Sequence, residues 1–376
     1  MAGSKAPATF FIGAIVTAGL VGWLSLGSSL PTDKAAPVDR GRAIDASVPS
    51  EPVATAQDGT GAESGVPATA GAGEVLDLCG LGRMPVPVGT PIDPPPAWQA
   101  LPTPLAADVM AAAQAQVMAR LAAGSDRQRA AALLMRLPHA EDSDERAALA
   151  AQVAAIERAA HDPVISAWTV SICDSDPEVC DADIARRWVD LERDNAAAWM
   201  ALSRRQFAVP DEADLGMALA NRHDVHHGAL VATVRKAWPE GEASYLQLPI
   251  LLHALAVDGM ATMALMQGTF NHCKAPLAGS PRAASCKALA ESMVQRGDTV
   301  LSHKLGAAIG AKLGWPPERL AALKAESEAL FPAGPGLHGD RQPYSCESLD
   351  RLRGWIDAVE QTGEKASARA MLKAPG

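Results

Sequence analysis

The sequence predicts an all-α protein of stacked antiparallel helical hairpins, stapled by disulfides. Alanine is packed into blocks such as AADVMAAAQAQVMARLAAG and RAALAAQVAAIERAA, β-branched runs are nearly absent beyond the N-terminus, and helix-start residues recur at short intervals. Alanine loses no side-chain entropy in a helix, so such blocks favour helix over every alternative. With 376 residues, 48% of them hydrophobic, the chain can bury a sizeable core although aromatic residues make up only 4%. A net charge of -10 argues against a basic surface, and no nucleic-acid partner is expected.

The chain divides into a tail (1–8), an apolar span (9–30), a linker (31–73) and a helical domain (74–376). From Ala6 to Thr32 there is no charged residue, and TFFIGAIVTAGLVGWLSL is long enough to cross a ~30 Å hydrocarbon core as a helix. The expectation is an uncleaved membrane anchor. The alternative is a signal peptide cleaved near Gly27 and a secreted chain. Lys5 precedes the span while Lys34, Arg40 and Arg42 follow it, so charge alone does not orient it. Residues 31–73 are rich in Pro, Gly, Ser and Ala without apolar periodicity, the composition of a disordered tether spanning about 40 Å. Apolar residues return around Cys79 in EVLDLCGLGRMPVPVG.

Ser125, Asp142, Asp162, Asp181 and Asp211 stand immediately before helical patterns, as N-caps do, and Ser125 has Gln128 at capping-box spacing. The patterns predict hairpins over 105–136, 143–172, 181–207, 211–238, 243–272, 283–313 and 316–330, with a last helix or pair from Cys346 to Lys373. Their short connections predict antiparallel neighbours.

Within this series, LERDNAAAWMALS (Leu191 to Ser203) resembles the junction between tetratricopeptide repeats. Trp199 and Leu202 match the large apolar positions, Ser203 the small one, and Ala213, Met217 and Ala220 the second helix; Arg193 stands where proline is usual. The resemblance spans about 30 residues and implies a TPR-like α-hairpin, extending to a solenoid if its neighbours stack alike. The layout as a whole also resembles that of anchored, alanine-rich helical proteins of bacterial envelopes.

The six cysteines are Cys79, Cys173, Cys180, Cys273, Cys286 and Cys346, and none forms a C-x-x-C. In SICDSDPEVCDADIARRW an EF-hand is excluded by the missing turn glycine and terminal glutamate. A reactive thiol is disfavoured because Asp174, Asp176, Glu178 and Asp181 would raise its pKa. What remains is a Cys173–Cys180 staple across a helix–helix turn, with Asp181 or Asp183 capping the second helix. CKAPLAGSPRAASC repeats the arrangement for Cys273–Cys286, which leaves Cys79 to pair with Cys346. Disulfides imply an oxidising compartment; six buried thiols would imply the reverse.

NRHDVHHG sets His223 and His227 four apart with His226 adjacent, which on a helix is metal-ligand spacing. The other reading is a polar face where a helix starts near Asp224, and on it no metal and no cofactor is expected. GPGLHG (Gly334 to Gly339) lacks the strand before and the helix after that a dinucleotide fingerprint needs. Gly306, Gly310 and Gly314 form a helical stripe suited to close helix approach. Trp168, Trp188 and Trp199 read as core, with Trp199 alternatively an anchor for a peptide partner. The expectation from sequence is a non-catalytic scaffold or protein-binding module of a bacterial-type envelope, single-pass in the inner membrane with its bulk periplasmic. Its partners would be the membrane and an envelope protein or peptide. The alternative is an envelope enzyme or metal-binding protein with a site near His223 and His227.

Overall fold

The computed structural model describes residues 75–85, 107–175, 183–205, 210–274, 282–332 and 342–373, with Gly334 and Asp340. The expected anchor (9–30), linker (31–73), Cys180, Asp181 and most of GPGLHG lie outside these residues.

A two-stranded antiparallel hairpin comes first, β1 (Val75–Leu78) and β2 (Gly82–Pro85), with Leu78 opposite Gly82. Leu76 and Leu78 alternate inward and are fully buried, while Gly80 and Gly82 supply the left-handed backbone of the turn. The ribbon is stitched to the segment before the penultimate helix. Gln342 accepts from the Asp77 N–H at 2.7 Å and donates to the Val75 carbonyl, the Cys79 N–H donates to the Tyr344 carbonyl, and Cys79 is bonded to Cys346. An isolated hairpin is marginal in water, so this covalent and hydrogen-bonded seam is what holds it.

The remaining described elements are helices: α1 (Ala107–Ala122), α2 (Asp126–Arg136), α3 (Ser143–Ala160), α4 (Pro163–Ser175), α5 (Ile184–Leu191), α6 (Ala196–Arg205), α7 (Pro210–Leu219), α8 (Ala229–Lys236), α9 (Gln247–His272), α10 (Arg282–Arg296), α11 (Val300–Lys312), α12 (Pro317–Leu330), α13 (Cys346–Thr362) and α14 (Glu364–Lys373). Ser125 closes its capping box with Gln128, and Asp142 accepts from the Glu145 N–H at 2.8 Å. Asp162 accepts from the Val164 N–H. Asp211 differs from expectation: α7 opens at Pro210, so Asp211 lies inside the helix, proline being suited to a first turn that needs no N–H donor.

Residues 243–272 also differ. They form one 26-residue helix, α9, after a short 3-10 turn rather than a hairpin, with Pro249 tolerated in its first turn, and 316–330 likewise forms the single helix α12 rather than a hairpin. By length and composition the stretch Ser244–His272 could cross a membrane, but here it packs as a core helix. It joins two apolar clusters. Leu248, Leu251 and Ala254 belong to one with the β-hairpin, α1, α2, α8 and α13; Leu265 and Met266 belong to the other with α5, α6, α7, α10 and α11.

The glycine stripe serves three purposes instead of one. Gly306 lets α11 approach α10, where an added Cβ would stand 2.9 Å from the Ala290 carbonyl oxygen. Gly310 is covered by the Trp315 ring, and Gly314 takes the left-handed conformation (φ 77°) that ends the helix.

Cys273 is bonded to Cys286 across the turn between α9 and α10, and Cys173 is also disulfide-bonded. Non-reducing peptide mapping of protein from its native compartment is expected to recover the Cys79–Cys346 and Cys273–Cys286 peptides. Cys273→Ser with Cys286→Ser should lower stability by about 3 kcal/mol, the entropy of a loop of this length. Free thiols at these positions would refute both.

Candidate functional site

The expected histidine cluster lies in the loop between α7 and α8, not on a helix. His226 (φ 57°) and Gly228 (φ 87°) are left-handed, which breaks any helical continuation and sends the three rings to different partners. The loop is fixed by two isolated parallel bridges, Asn195 with Arg222 and His223 with Gly297.

Glu192, at the end of α5 and 7% exposed, receives His226. Its Oε2 accepts from Trp188 Nε1 (2.8 Å) and Asn195 Nδ2 (2.9 Å) and lies 2.9 Å from His226 Nε2, while Oε1 accepts from Arg222 at 2.7 Å. Burial opposes this charge, but the His226, Arg222 and Asn195 contacts override it and hold the carboxyl well below the usual carboxylate range. The same contact raises the His226 ring above an ordinary histidine despite its burial. Asn195, fully buried, uses its whole amide: it donates to Glu192 and the Asp224 carbonyl and accepts from the Ala197 and Asp224 N–H groups.

Asp258 receives His227. This carboxylate is 2% exposed in the middle of α9; its Oδ2 accepts from the Gly228 N–H and lies 2.7 Å from His227 Nδ1, and Oδ1 accepts from the Leu230 N–H. Gly228, the N-cap residue of α8, has no side chain to cap with, so Asp258 caps that helix from a neighbouring one. Burial works against a charged ring, yet the Asp258 charge and hydrogen bond raise His227 to about 9. Thr262 Oγ1 lies 3.1 Å from the same ring nitrogen.

His223, 1% exposed, is pushed down to about 4 by burial and stays neutral, and its Nδ1 finds no partner among the described residues. Its carbonyl accepts from the Asp298 N–H. Asp298, in the turn between α10 and α11, accepts from the Val225 N–H; burial and the neighbouring Asp224 raise its carboxyl well above the usual range. The Lys365 N–H donates to the Asp298 carbonyl, and Lys365 Nζ donates to the Val294 carbonyl. Burial lowers that amine to about 8.

Two inter-helix turns, 220–228 and 297–299, and the first turn of α14 therefore converge on one buried polar junction. His223 and His227 are buried rather than on a polar surface face. Among the described residues no group of three or more His, Cys, Asp and Glu side chains is placed to hold a metal ion. What the arrangement does chemically is pair and cap: His226 and His227 each have their own carboxylate, and each carboxylate also receives backbone or side-chain N–H groups. No family model, curated protein or solved structure matches the chain.

Trp168 and Trp188 are core residues at 3% and 0% exposure. Trp199, at 9%, faces into its own hairpin: Nε1 donates to the Arg193 carbonyl, and Gly216 of α7 lies so close that an added Cβ would fall 2.2 Å from the indole. Ala213, Met217 and Ala220 pack on the same side. Sequence reading missed Glu192, Asp258 and Asp298. The sole charged residue in QLPILLHALAVDGMATMALMQGTFNH, Asp258, carried a usable signal, because a charge buried in an apolar helix requires a partner.

Proposed function

We propose that the chain is a non-catalytic, membrane-anchored scaffold of a bacterial-type envelope, single-pass in the inner membrane. Its helical domain lies on the periplasmic side and binds a protein partner along α7. The observation that carries this reading is a pair of leucines four residues apart on that helix. Leu215 and Leu219 are 60% and 74% exposed, while Ala213, Met217 and Ala220 bury the opposite side. An exposed i, i+4 leucine pair on a packed hairpin suits the apolar face of an amphipathic partner segment, and the α6–α7 pair carries the TPR-like sequence. The disulfides support an oxidising compartment, and the uncharged stretch from Ala6 to Thr32 supports an anchor.

The test is photo-crosslinking in native membranes from residues 215 and 219, with Lys324 on the exposed side of α12 as control. A discrete crosslinked protein is expected from the two leucine positions alone. Leu215→Lys with Leu219→Lys should abolish it while changing stability by no more than about 0.5 kcal/mol, as surface substitutions do. Equal crosslinking from all three positions would defeat the proposal.

A further inference from the structure

Asp298 brings to the polar junction one oxygen that the pairing of histidines and carboxylates does not serve. Its Oδ2 accepts from the Val225 N–H at 3.1 Å, but its Oδ1, shut off from solvent, finds no donor among the described residues. A carboxylate oxygen buried without a hydrogen bond is costly, so such an atom calls for a physical reason. The side chain it meets is another acid. Asp224 stands one residue before Val225 and makes a side-chain hydrogen-bond contact with Asp298. Two ionised carboxylates are acceptors only, whereas one proton between them supplies the missing donor. Backbone contacts keep the two acids together: His223 bridges to Gly297, and the Asp298 N–H donates to the His223 carbonyl at 3.1 Å.

From this geometry we infer that Asp298 is a neutral carboxylic acid whose Oδ1–H donates to Asp224. One proton then latches the 220–228 loop onto the 297–299 turn, and alkaline pH unmakes the latch. Asp224 is the acceptor of the two, because its Oδ1 already accepts from the His226 N–H (2.7 Å) and its Oδ2 from Arg222 (3.1 Å). The cations facing Asp298 are His226 and His227 of the loop and Lys365 of α14. Each is directed elsewhere: His226 to Glu192, His227 to Asp258, and Lys365 Nζ to the Val294 carbonyl. Glu364, the acid beside His227, accepts from the Val300 N–H. None of these groups gives Oδ1 a hydrogen. Burial and the charge and hydrogen bond of Asp224 raise the Asp298 carboxyl, against His227 and the Val225 N–H, which lower it.

An acid that keeps its proton in the fold costs stability as pH rises from its unfolded value, near 3.9, through its folded one. Asp298→Asn copies the neutral acid: its amide oxygen accepts from the Val225 N–H and its amide N–H donates to Asp224. In urea denaturation of the full chain, the folding constant of Asp298→Asn relative to wild type should therefore rise with pH. The rise should begin above about pH 5 and reach up to about tenfold per pH unit, the slope of one proton. Infrared difference spectra of wild type minus variant at about pH 6 should show the carbonyl stretch of a protonated carboxyl, because Asp298 still holds its proton there. Asp224→Asn covers the case in which Asp298→Asn does not fold. Its amide gives Oδ1 a donor, so Asp298 should ionise and the band should vanish. A ratio that stays flat from about pH 5 to about pH 8 would overturn the shared proton, as would a band missing from wild type or surviving in Asp224→Asn.

Discussion

Asp258→Ala is expected to destabilise the domain by about 3–5 kcal/mol, the cost of breaking a buried ion pair from one side. The carboxylate serves two elements at once. It accepts from the Gly228 and Leu230 N–H groups that open α8, and it neutralises the His227 ring. Removing it takes away the counter-charge of the His227 ring, which burial then forces to give up its proton, and leaves two buried helix-end donors without their acceptor. Because α9 crosses both apolar clusters at this point, the loss is felt by the whole domain. Asp258→Asn keeps an acceptor for the N–H groups but not the charge, so it should fall between wild type and alanine. Urea denaturation of the full chain, followed by circular dichroism, measures all three. A cost below about 1 kcal/mol for alanine, an ordinary surface value, would refute the capping role.

The same pair fixes a pH dependence. An unfolded histidine titrates near 6.5, and folded His227 at about 9. Below 6.5 both states hold the proton and the pairing contributes in full. Above it the unfolded state sheds its proton first, so this contribution falls as pH rises and is gone past about 9. Lys365, lowered to about 8 from 10.5, acts in the opposite sense above 8, and His226, also raised, acts in the same sense as His227 above 6.5, so the His227 share is the part of the slope that Asp258→Asn removes. His223 acts on the acid side. Held neutral with a folded pKa of about 4, it withdraws stability as pH falls from 6.5 toward 4. Asp258→Asn should flatten the alkaline limb and leave the acid limb in place.

Local chemistry was legible in the sequence and long-range chemistry was not. Ser125 with Gln128, and Asp142, announce their helices because a cap is satisfied within three residues. The β-hairpin was not foreseen, because strands of four residues carry little periodicity and this ribbon is held by Gln342 and Cys346, more than 260 residues away. NRHDVHHG was misread as helical for a related reason. Spacing suggests one face, but Asn195, Asp258 and Asp298 impose the loop, and none of them is near it in sequence. The glycine of HHG, left-handed at the start of α8, was the one local sign that the helix begins after the histidines.

Trp199→Ala is expected to cost about 3–5 kcal/mol through the cavity it leaves, because the indole is the filler between α6 and α7. Its Nε1–H is satisfied by the Arg193 carbonyl, and its ring surface lies against Gly216. That close approach makes a sharper experiment available. Gly216→Ala drives a Cβ into the indole and should cost roughly 1–3 kcal/mol by overpacking. In the Trp199→Ala background the same substitution meets empty space, so its cost should vanish or reverse, the non-additivity expected of residues in direct contact. Both halves are read from denaturation midpoints of the four proteins of the cycle. A Trp199→Ala protein of unchanged stability that no longer gives the crosslinked protein expected from positions 215 and 219 would place the indole on a groove instead. Full additivity of the two substitutions would mean that Trp199 and Gly216 do not pack together, and the TPR-like reading of this hairpin would fall with that contact.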